Sequence, residues 1–127
     1  MPMRDMRLTG NDAAAPIHVG FLLIPGFALS PFASAIEPLR AANQLSGRSL
    51  YRWSHISFDG RPPVASNGIA VAHHATIGEG DDYDYVFVCA GGNPASFNDA
   101  RSFAWLRRLA RHGVRLGGVS GGPYLLA

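Results

Sequence analysis

The sequence predicts one α/β domain, a parallel sheet with helices on both faces. Apolar runs of strand length alternate with segments that have helical spacing of apolar residues, and glycine or proline separates them. Apart from His18, residues 17–24 and 85–89 are runs of apolar residues, which are typical of strands buried on both faces of a parallel sheet. Strands that alternate with helices along one chain favour this architecture.

The chain has 127 residues, of which 47% are hydrophobic, enough for one domain with a buried core. Residues 1–16 contain charges and no apolar stretch, so we expect a disordered tail and not a secretory signal. Residues 17–127 are expected to form the domain. The chain stops one turn into the helix after its last strand, and a parallel sheet needs that helix to reach a further strand. We therefore expect the amino-terminal part of a longer protein, truncated after this strand.

Charge and cysteine content limit the partners and the compartment. A formal charge of +2 is too small to indicate nucleic-acid binding by itself, although all eleven basic residues are arginine. The single cysteine excludes an internal disulfide and suits a reducing compartment, so a cytoplasmic location is expected. The apolar run at residues 19–24 is too short to cross a bilayer, so no membrane partner is expected.

The amino-terminal half predicts a strand, a helix and a second strand. Pro25 ends the first strand, and Ser30 with Pro31 predicts the helix start, with serine as the N-cap. Gly47 ends this helix, and Pro38 inside it predicts a kink or an early end. Residues 51–58 alternate polar and apolar side chains, as in a strand with one exposed face, and residues 69–72 follow turn signals as a hairpin arm.

The carboxyl-terminal half predicts a buried strand at residues 85–89, a helix at residues 97–112 and a last strand at residues 114–119. Ser120 follows the last strand directly, and Gly121 and Gly122 come next, before a short apolar segment of helical character. This pattern is typical of a nucleophile elbow, whose helix-start amides could stabilise negative charge. The alternative is an ordinary glycine-rich turn in which Ser120 caps the helix.

Several motifs together resemble a known family. They are Pro25-Gly26-Phe27, Glu37 with Leu39, residues 105–110 followed by Gly113, and residues 118–122. In this order they are similar to the PfpI/ThiJ-type, class I glutamine-amidotransferase-like domain, and more narrowly to the version found in front of the helix-turn-helix of AraC-type transcription regulators. The resemblance covers residues 17–127, roughly the first two-thirds of such a domain. It implies a flavodoxin-like fold and a homodimer.

The resemblance also implies where the family's chemical groups would lie. Ser120 stands where the family has its elbow cysteine, and Gly91 and Gly92 match its glycine loop. The family's acidic position falls at or near Pro31, which cannot ionise. Glu37 lies almost two turns further along the helix, where a structural role is expected.

These departures favour a ligand pocket over a reaction centre. A thiol, with a pKa of about 8.5, can become a thiolate, whereas a serine hydroxyl needs a positioned base. Cys89 lies in an apolar strand and is not expected to replace the missing thiol. The predicted ligand-binding residues are Gly91, Gly92, Ser120 and Gly121, with no catalytic residue and no cofactor; Ser120 is the only candidate nucleophile.

Metal sites are not expected. His73 and His74 are adjacent, so on a strand their side chains would point to opposite faces. The acidic residues 81, 82 and 84 lack the EF-hand spacing and are expected to form a solvated turn.

Three functions remain open. The first is a sensor for a small-molecule effector, for which the resemblance suggests an amino acid or a quaternary-ammonium metabolite, with DNA bound only through a further, carboxyl-terminal domain. The second is a serine hydrolase, because residues 118–122 satisfy G-x-S-x-G, although no acid or histidine follows. The third is an enzyme of the amidotransferase or peptidase type, which serine at the cysteine position makes less probable.

Overall fold

The structure is a computed structural model that describes residues 15–80 and 82–127. The predicted tail therefore lies almost wholly outside the described residues, as does Asp81 of the acidic turn. The elements, in chain order, are β1 Ile17–Leu23, α1 Leu29–Ser46, β2 Tyr51–Ser57, β3 Ala75–Thr76, β4 Tyr85–Ala90, α2 Ala100–Arg111, β5 Arg115–Ser120 and α3 Gly122–Leu126. A short 3-10 turn, Pro94–Ser96, precedes α2.

The five strands form one sheet in the order β3-β2-β1-β4-β5, and every pair of neighbours is parallel. The predicted parallel, flavodoxin-like α/β fold is confirmed. The connection after β1 leads to one side of the sheet, whereas β4 and β5 extend it on the other side. The gap between β1 and β4 is therefore a topological switch point, where open α/β sheets commonly bind ligands beyond the carboxyl ends of their strands.

Alternation along β1 divides the core between the two faces of the sheet. Val19, Phe21 and Leu23 belong to the cluster that packs beneath α1. Leu22 belongs to the opposite cluster, which α2 covers with residues such as Trp105. Successive side chains of a strand point to opposite faces, so one continuously apolar strand supplies both layers. Helices lie on both faces, as predicted.

The start of α1 was predicted wrongly. The helix begins at Leu29, two residues before Pro31, and its N-cap is Ala28, which makes no side-chain capping bond. The buried ring of Phe27 instead packs edge-on against Phe32, with centroids 5.6 Å apart. These two positions flank the helix start as a hydrophobic staple does. Pro31 lies in the first turn, where its missing N–H costs no helical hydrogen bond.

The predicted early end of α1 at Pro38 is also wrong, because the helix continues to Ser46. Pro38 and Ser34, the residue whose carbonyl loses its helical donor, are both exposed, so water can bond to that carbonyl. The predicted stop at Gly47 is confirmed. Gly47 has φ +70° and donates its N–H to the Asn43 carbonyl at 3.0 Å.

Three further features of the fold differ from the predictions. α2 begins at Ala100, not at residue 97, because the Asp99 carboxylate caps it by accepting from the Ser102 N–H at 3.0 Å. The predicted hairpin is reduced to one antiparallel bridge between Val64 and Ala70. The edge strand β3 was not predicted, since two residues give no periodic signal.

A candidate site at the carboxyl edge of the sheet

Three loops meet at the carboxyl edge of the sheet. They follow β1, β4 and β5; Gly26 and Gly91 lie in the first two loops, and Ser120 is the last residue of β5, where the third begins. Ala90 and Ser120 are register partners in the last parallel pair. Neighbouring strands lie about 4.8 Å apart, so the backbones of Ser120 and the Gly91 loop are adjacent. The predicted proximity of these two loops is therefore present, and the direction of the Ser120 side chain toward Gly91 and Gly92 stays a prediction.

Ser120 has a left-handed backbone, with φ +57°, and it is the only residue other than glycine with positive φ among residues 15–80 and 82–127. Left-handed backbone costs an L-residue about 1–2 kcal/mol. The sharp strand-to-helix turn predicted from the glycines is thus present, and the strained residue is the serine. Strain of this kind is found where a site holds one side chain in place.

The glycines around Ser120 are required by close packing of backbones. The Gly26 carbonyl oxygen occupies the position of a side chain on Gly91, and the Gly91 carbonyl oxygen does the same for Gly121. The Val88 carbonyl likewise blocks a side chain on Gly122. Only glycine allows such approaches. The three loops are consequently packed closely against one another, and Gly91 contacts both of the others.

Gly92 differs from its neighbour in its surroundings. A side chain on Gly92 would meet no atom within 4 Å, and its φ is not positive. The residue is exposed, whereas Gly91 is half-buried. Of the two matched glycines, Gly92 therefore borders open space, and Gly91 serves the packing of the loops.

The amide after Ser120 is already engaged. The Gly121 N–H donates to the Ala90 carbonyl at 3.2 Å. In a serine hydrolase of the elbow type, this amide would help to form the oxyanion hole. The next element, α3, has Pro123 in its first turn, which removes a further donor. The elbow therefore offers few amides to a developing negative charge.

Within the described parts of the chain, Ser120 makes no side-chain hydrogen bond to a carboxylate or an imidazole. The Glu37 carboxylate is exposed and pairs with Arg40, whose Nη2 lies 2.7 Å from Glu37 Oε1. This hydrogen bond and charge lower the pKa of Glu37. Glu37 is thus paired with a residue of its own helix, and Pro31, at the family's acidic position, has no ionisable group.

Two histidines lie elsewhere in the sheet, His18 buried and His55 half-buried. His18 lies at the amino end of β1, where Nε2 is 2.8 Å from Ser54 Oγ. His55 lies on β2, and its Nδ1 is 2.9 Å from the Ala72 carbonyl oxygen, while Nε2 has no partner among the described residues. Burial lowers the pKa of both imidazoles. Neither is bonded to Ser120.

Cys89 is the residue before Ala90 on β4 and is 1% exposed. Burial raises the pKa of its thiol to about 12, so the thiol stays protonated at neutral pH. The thiolate is the nucleophilic form of cysteine. The environment of Cys89 is therefore that of a small core residue.

Among the described residues, no three His, Cys, Asp or Glu side chains come together as a metal site. His73 and His74 do not lie on a strand, contrary to the geometry considered for them, and the His74 ring instead packs on His55 at 4.7 Å. Asp82 is paired with Arg52 at 2.7 Å, and Asp84 accepts the His18 N–H at 2.8 Å. These contacts tie the acidic turn to β1 and β2.

One cavity was missed by the sequence analysis. A space of about 280 Å³ lies between α1 and the sheet. Its walls are mainly aromatic and aliphatic and include Tyr51, Tyr85, Phe87, Val119 and Leu39. Ligand pockets usually measure about 300–1,000 Å³, so this one is at the lower limit. The aromatic residues at every second position of β4 were the available signal.

No known family model matches the chain. The HTH-type transcriptional regulator GlxA of Rhizobium meliloti is 46% identical over 118 residues, which are 92% of this chain and 36% of that protein. The HTH-type transcriptional regulators GbdR and CdhR of Pseudomonas aeruginosa are each 44% identical to this chain. The match with GbdR covers 88% of this chain and 30% of GbdR, and the match with CdhR covers 84% of this chain and 32% of CdhR. The chain is a relative of these regulators. It spans about a third of their length.

Solved structures agree with this relationship. An AraC family transcriptional regulator from Pseudomonas putida superposes with a TM-score of 0.73 and 26% identity, over 81% of this chain and 64% of that one. A ThiJ/PfpI family protein from Pseudomonas syringae superposes with a TM-score of 0.71 and 17% identity, over 99% of this chain and 51% of that one. The latter likeness concerns the fold alone. The resemblance predicted from the motifs is confirmed.

No helix among the described residues is long and apolar enough to cross a membrane.

Proposed function

We propose that this chain is the small-molecule-sensing part of an AraC-type transcriptional regulator. The relatives are transcription regulators, and the chain matches about a third of their length. In this proposal, the whole protein is cytoplasmic and homodimeric, and its helix-turn-helix is supplied by a different segment. The sensing part would change the regulator's state when an effector occupies the carboxyl edge of the sheet.

The observation that supports sensing over catalysis is the hydrogen bond from the Gly121 N–H to the Ala90 carbonyl. An oxyanion hole needs donors aimed at the position where charge develops, and this donor is directed into the sheet instead. Ser120 also lacks a hydrogen-bonded base among the described residues. A serine hydroxyl without such a base is a weak nucleophile.

The proposed contact residues are Gly91, Gly92, Ser120 and Gly121. Gly92 borders open space, and Ser120 is exposed at its strained turn. An amino acid or a quaternary-ammonium metabolite is the proposed effector class. A hydroxyl and backbone groups in one small region can orient such a compact polar molecule.

The alternative is a hydrolase that uses Ser120, supported by the left-handed serine at a strand-to-helix turn. The two functions predict opposite effects of Ser120→Ala. Loss of one neutral hydrogen bond would weaken effector binding by about 0.5–1.5 kcal/mol. Loss of a nucleophile would reduce turnover by orders of magnitude.

The test measures two properties of the full-length protein: thermal stabilisation by a panel of amino acids and quaternary-ammonium compounds, and turnover of a chromogenic ester. Wild type and Ser120→Ala should both be stabilised by the same compound. Gly92→Leu should lose the effect, because its side chain would fill the open space, whereas Ala95→Leu, at an exposed position nearby, should keep it. Ester turnover abolished by Ser120→Ala would overturn the sensor proposal.

A further inference from the structure

Charge is divided unequally along the chain. Residues 1–99 contain six arginines and nine acidic residues, a formal charge of −3, whereas residues 100–127 contain five arginines and no acidic residue, a formal charge of +5. The small net charge of the whole chain hides this division. The positive segment includes α2 and β5.

The four arginines of α2 share one side of the helix. At about 100° per residue, they fall within an arc of about 120° on the outer surface. The opposite side is buried and consists of Ser102, Trp105, Leu106 and Leu109. We define the arginine face as the outer surface of α2, with Arg101, Arg107, Arg108 and Arg111. Two exposed alanines, Ala100 and Ala104, lie within the same arc, so the surface between the arginines is flat.

Among the described residues, carboxylates do not neutralise Arg107 and Arg111 of the arginine face, and Arg101 has only a distant one. Arg101 is 3.9 Å from Asp99, a long contact between side chains 72% and 22% exposed. Arg107 and Arg111 are exposed and make no ion pair with any described residue. Arg40 and Arg52, by contrast, are each 2.7 Å from a carboxylate oxygen.

The stability of α2 does not account for its four arginines. The helix dipole favours cations in the last turn, which suits Arg108 and Arg111. Arg101 lies in the first turn, where a cation is unfavourable. Like charges four residues apart, such as Arg107 and Arg111, also repel each other. An external anion would relieve both effects.

We propose that the arginine face binds the phosphate backbone of duplex DNA. The contact is independent of base sequence, because arginine–phosphate pairs fix position and do not identify bases. It would add to the helix-turn-helix contact of the proposed regulator. The choice of DNA over another polyanion rests on the proposed function, since the relatives are transcription regulators. Effector binding at the carboxyl edge of the sheet is a separate property, and the thermal-stabilisation assay tests it independently.

The test uses the full-length protein and a fluorescein-labelled duplex of arbitrary sequence, with anisotropy measured over a series of salt concentrations. Wild type should bind weakly, with affinity that falls steeply as salt rises. Arg107→Ala and Arg111→Ala should each reduce the salt slope by about one. The double variant R107E/R111E should weaken binding more than either single variant does. Arg48→Ala removes an exposed arginine outside α2 and should match wild type. Thermal unfolding checks that each variant is folded.

Three results would overturn the proposal. They are the absence of salt-dependent binding by the folded wild type, an equal loss in Arg48→Ala, and unchanged binding in the folded double variant. Poly-L-glutamate is added as a competitor at matched charge concentration. Unlabelled duplex DNA should displace the labelled duplex better than polyglutamate does. Equal or stronger displacement by polyglutamate would assign the arginine face to an acidic protein partner instead.

Discussion

The carbonyl oxygen of Gly91 occupies the place where a side chain on Gly121 would begin. This contact joins the loop after β4 to the turn after β5, and the Gly26 carbonyl makes the same contact with Gly91 from the loop after β1. The carboxyl edge of the sheet is therefore built on backbone-to-backbone packing. Ser120 owes its position to this packing, since its own strained φ would not persist without it.

Gly121→Ala should lower the free energy of unfolding by at least about 1–3 kcal/mol, the usual cost of overpacking, because the methyl group collides with a backbone carbonyl that cannot rotate away. Gly91→Ala should behave similarly. Gly92→Ala is the matched control and should stay within about 0.5 kcal/mol of wild type, as its methyl group enters open space. Urea unfolding of the three variants measures the difference. Equal stability of Gly91→Ala and Gly92→Ala would contradict the packing.

Ser120→Val should be less stable than Ser120→Gly. Ser120 has φ +57°, and a β-branched residue is a worse fit to left-handed backbone than serine. Glycine adopts it without steric cost, although it loses more conformational entropy on folding, so Ser120→Gly should stay within about 1 kcal/mol of wild type. Thermal unfolding checks the order. The prediction fails if valine and glycine give the same melting temperature.

Stability should fall as the pH drops from about 7.5 to 5.5, partly because of His55. Burial lowers the pKa of His55, and an unfolded histidine has a pKa of about 6.5. The unfolded chain therefore takes up a proton first, so this contribution is complete above the unfolded pKa and is lost below it. His55→Asn should reduce this pH dependence of stability. His112→Asn, the control at an exposed residue, should not reduce it. His18 should maintain part of the dependence in the His55→Asn variant. Urea midpoints at both pH values measure this, and an unchanged slope in folded His55→Asn would refute it.

Asn43→Ala should destabilise the fold by about 1–3 kcal/mol. The half-buried Asn43 side chain donates to the Tyr51 carbonyl at 2.8 Å and accepts the N–H groups of Leu50 and Tyr51 at 2.9 and 3.0 Å. It connects the end of α1 to the start of β2. Gln44→Ala, at the exposed neighbour, is the control and should change little. Similar urea midpoints for the two variants would show that these bonds contribute nothing.

The sequence by itself determined the layers and the position of the sharp turn at Ser120. Continuous apolar runs predicted β1 and β4, and the helical spacing of apolar residues predicted α1 and α2. The glycines around Ser120 predicted the sharp turn, because glycine and helix-start signals are local. The resemblance to the regulator family likewise depended on short motifs in order.

Only the tertiary structure decided how each element begins and what each glycine does. The Phe27–Phe32 contact placed the N-cap of α1 two residues before the predicted cap, since packing of two rings outweighed a capping signal. Gly91 and Gly92 are identical neighbours in sequence, yet one is blocked by the Gly26 carbonyl and the other faces open space. The tertiary structure also decided the hydrogen bond of the Gly121 N–H, because its acceptor, the Ala90 carbonyl, is thirty-one residues away in the chain. The contacts of Gly91 and Gly121 join residues far apart in sequence, so no local pattern of side chains encodes them.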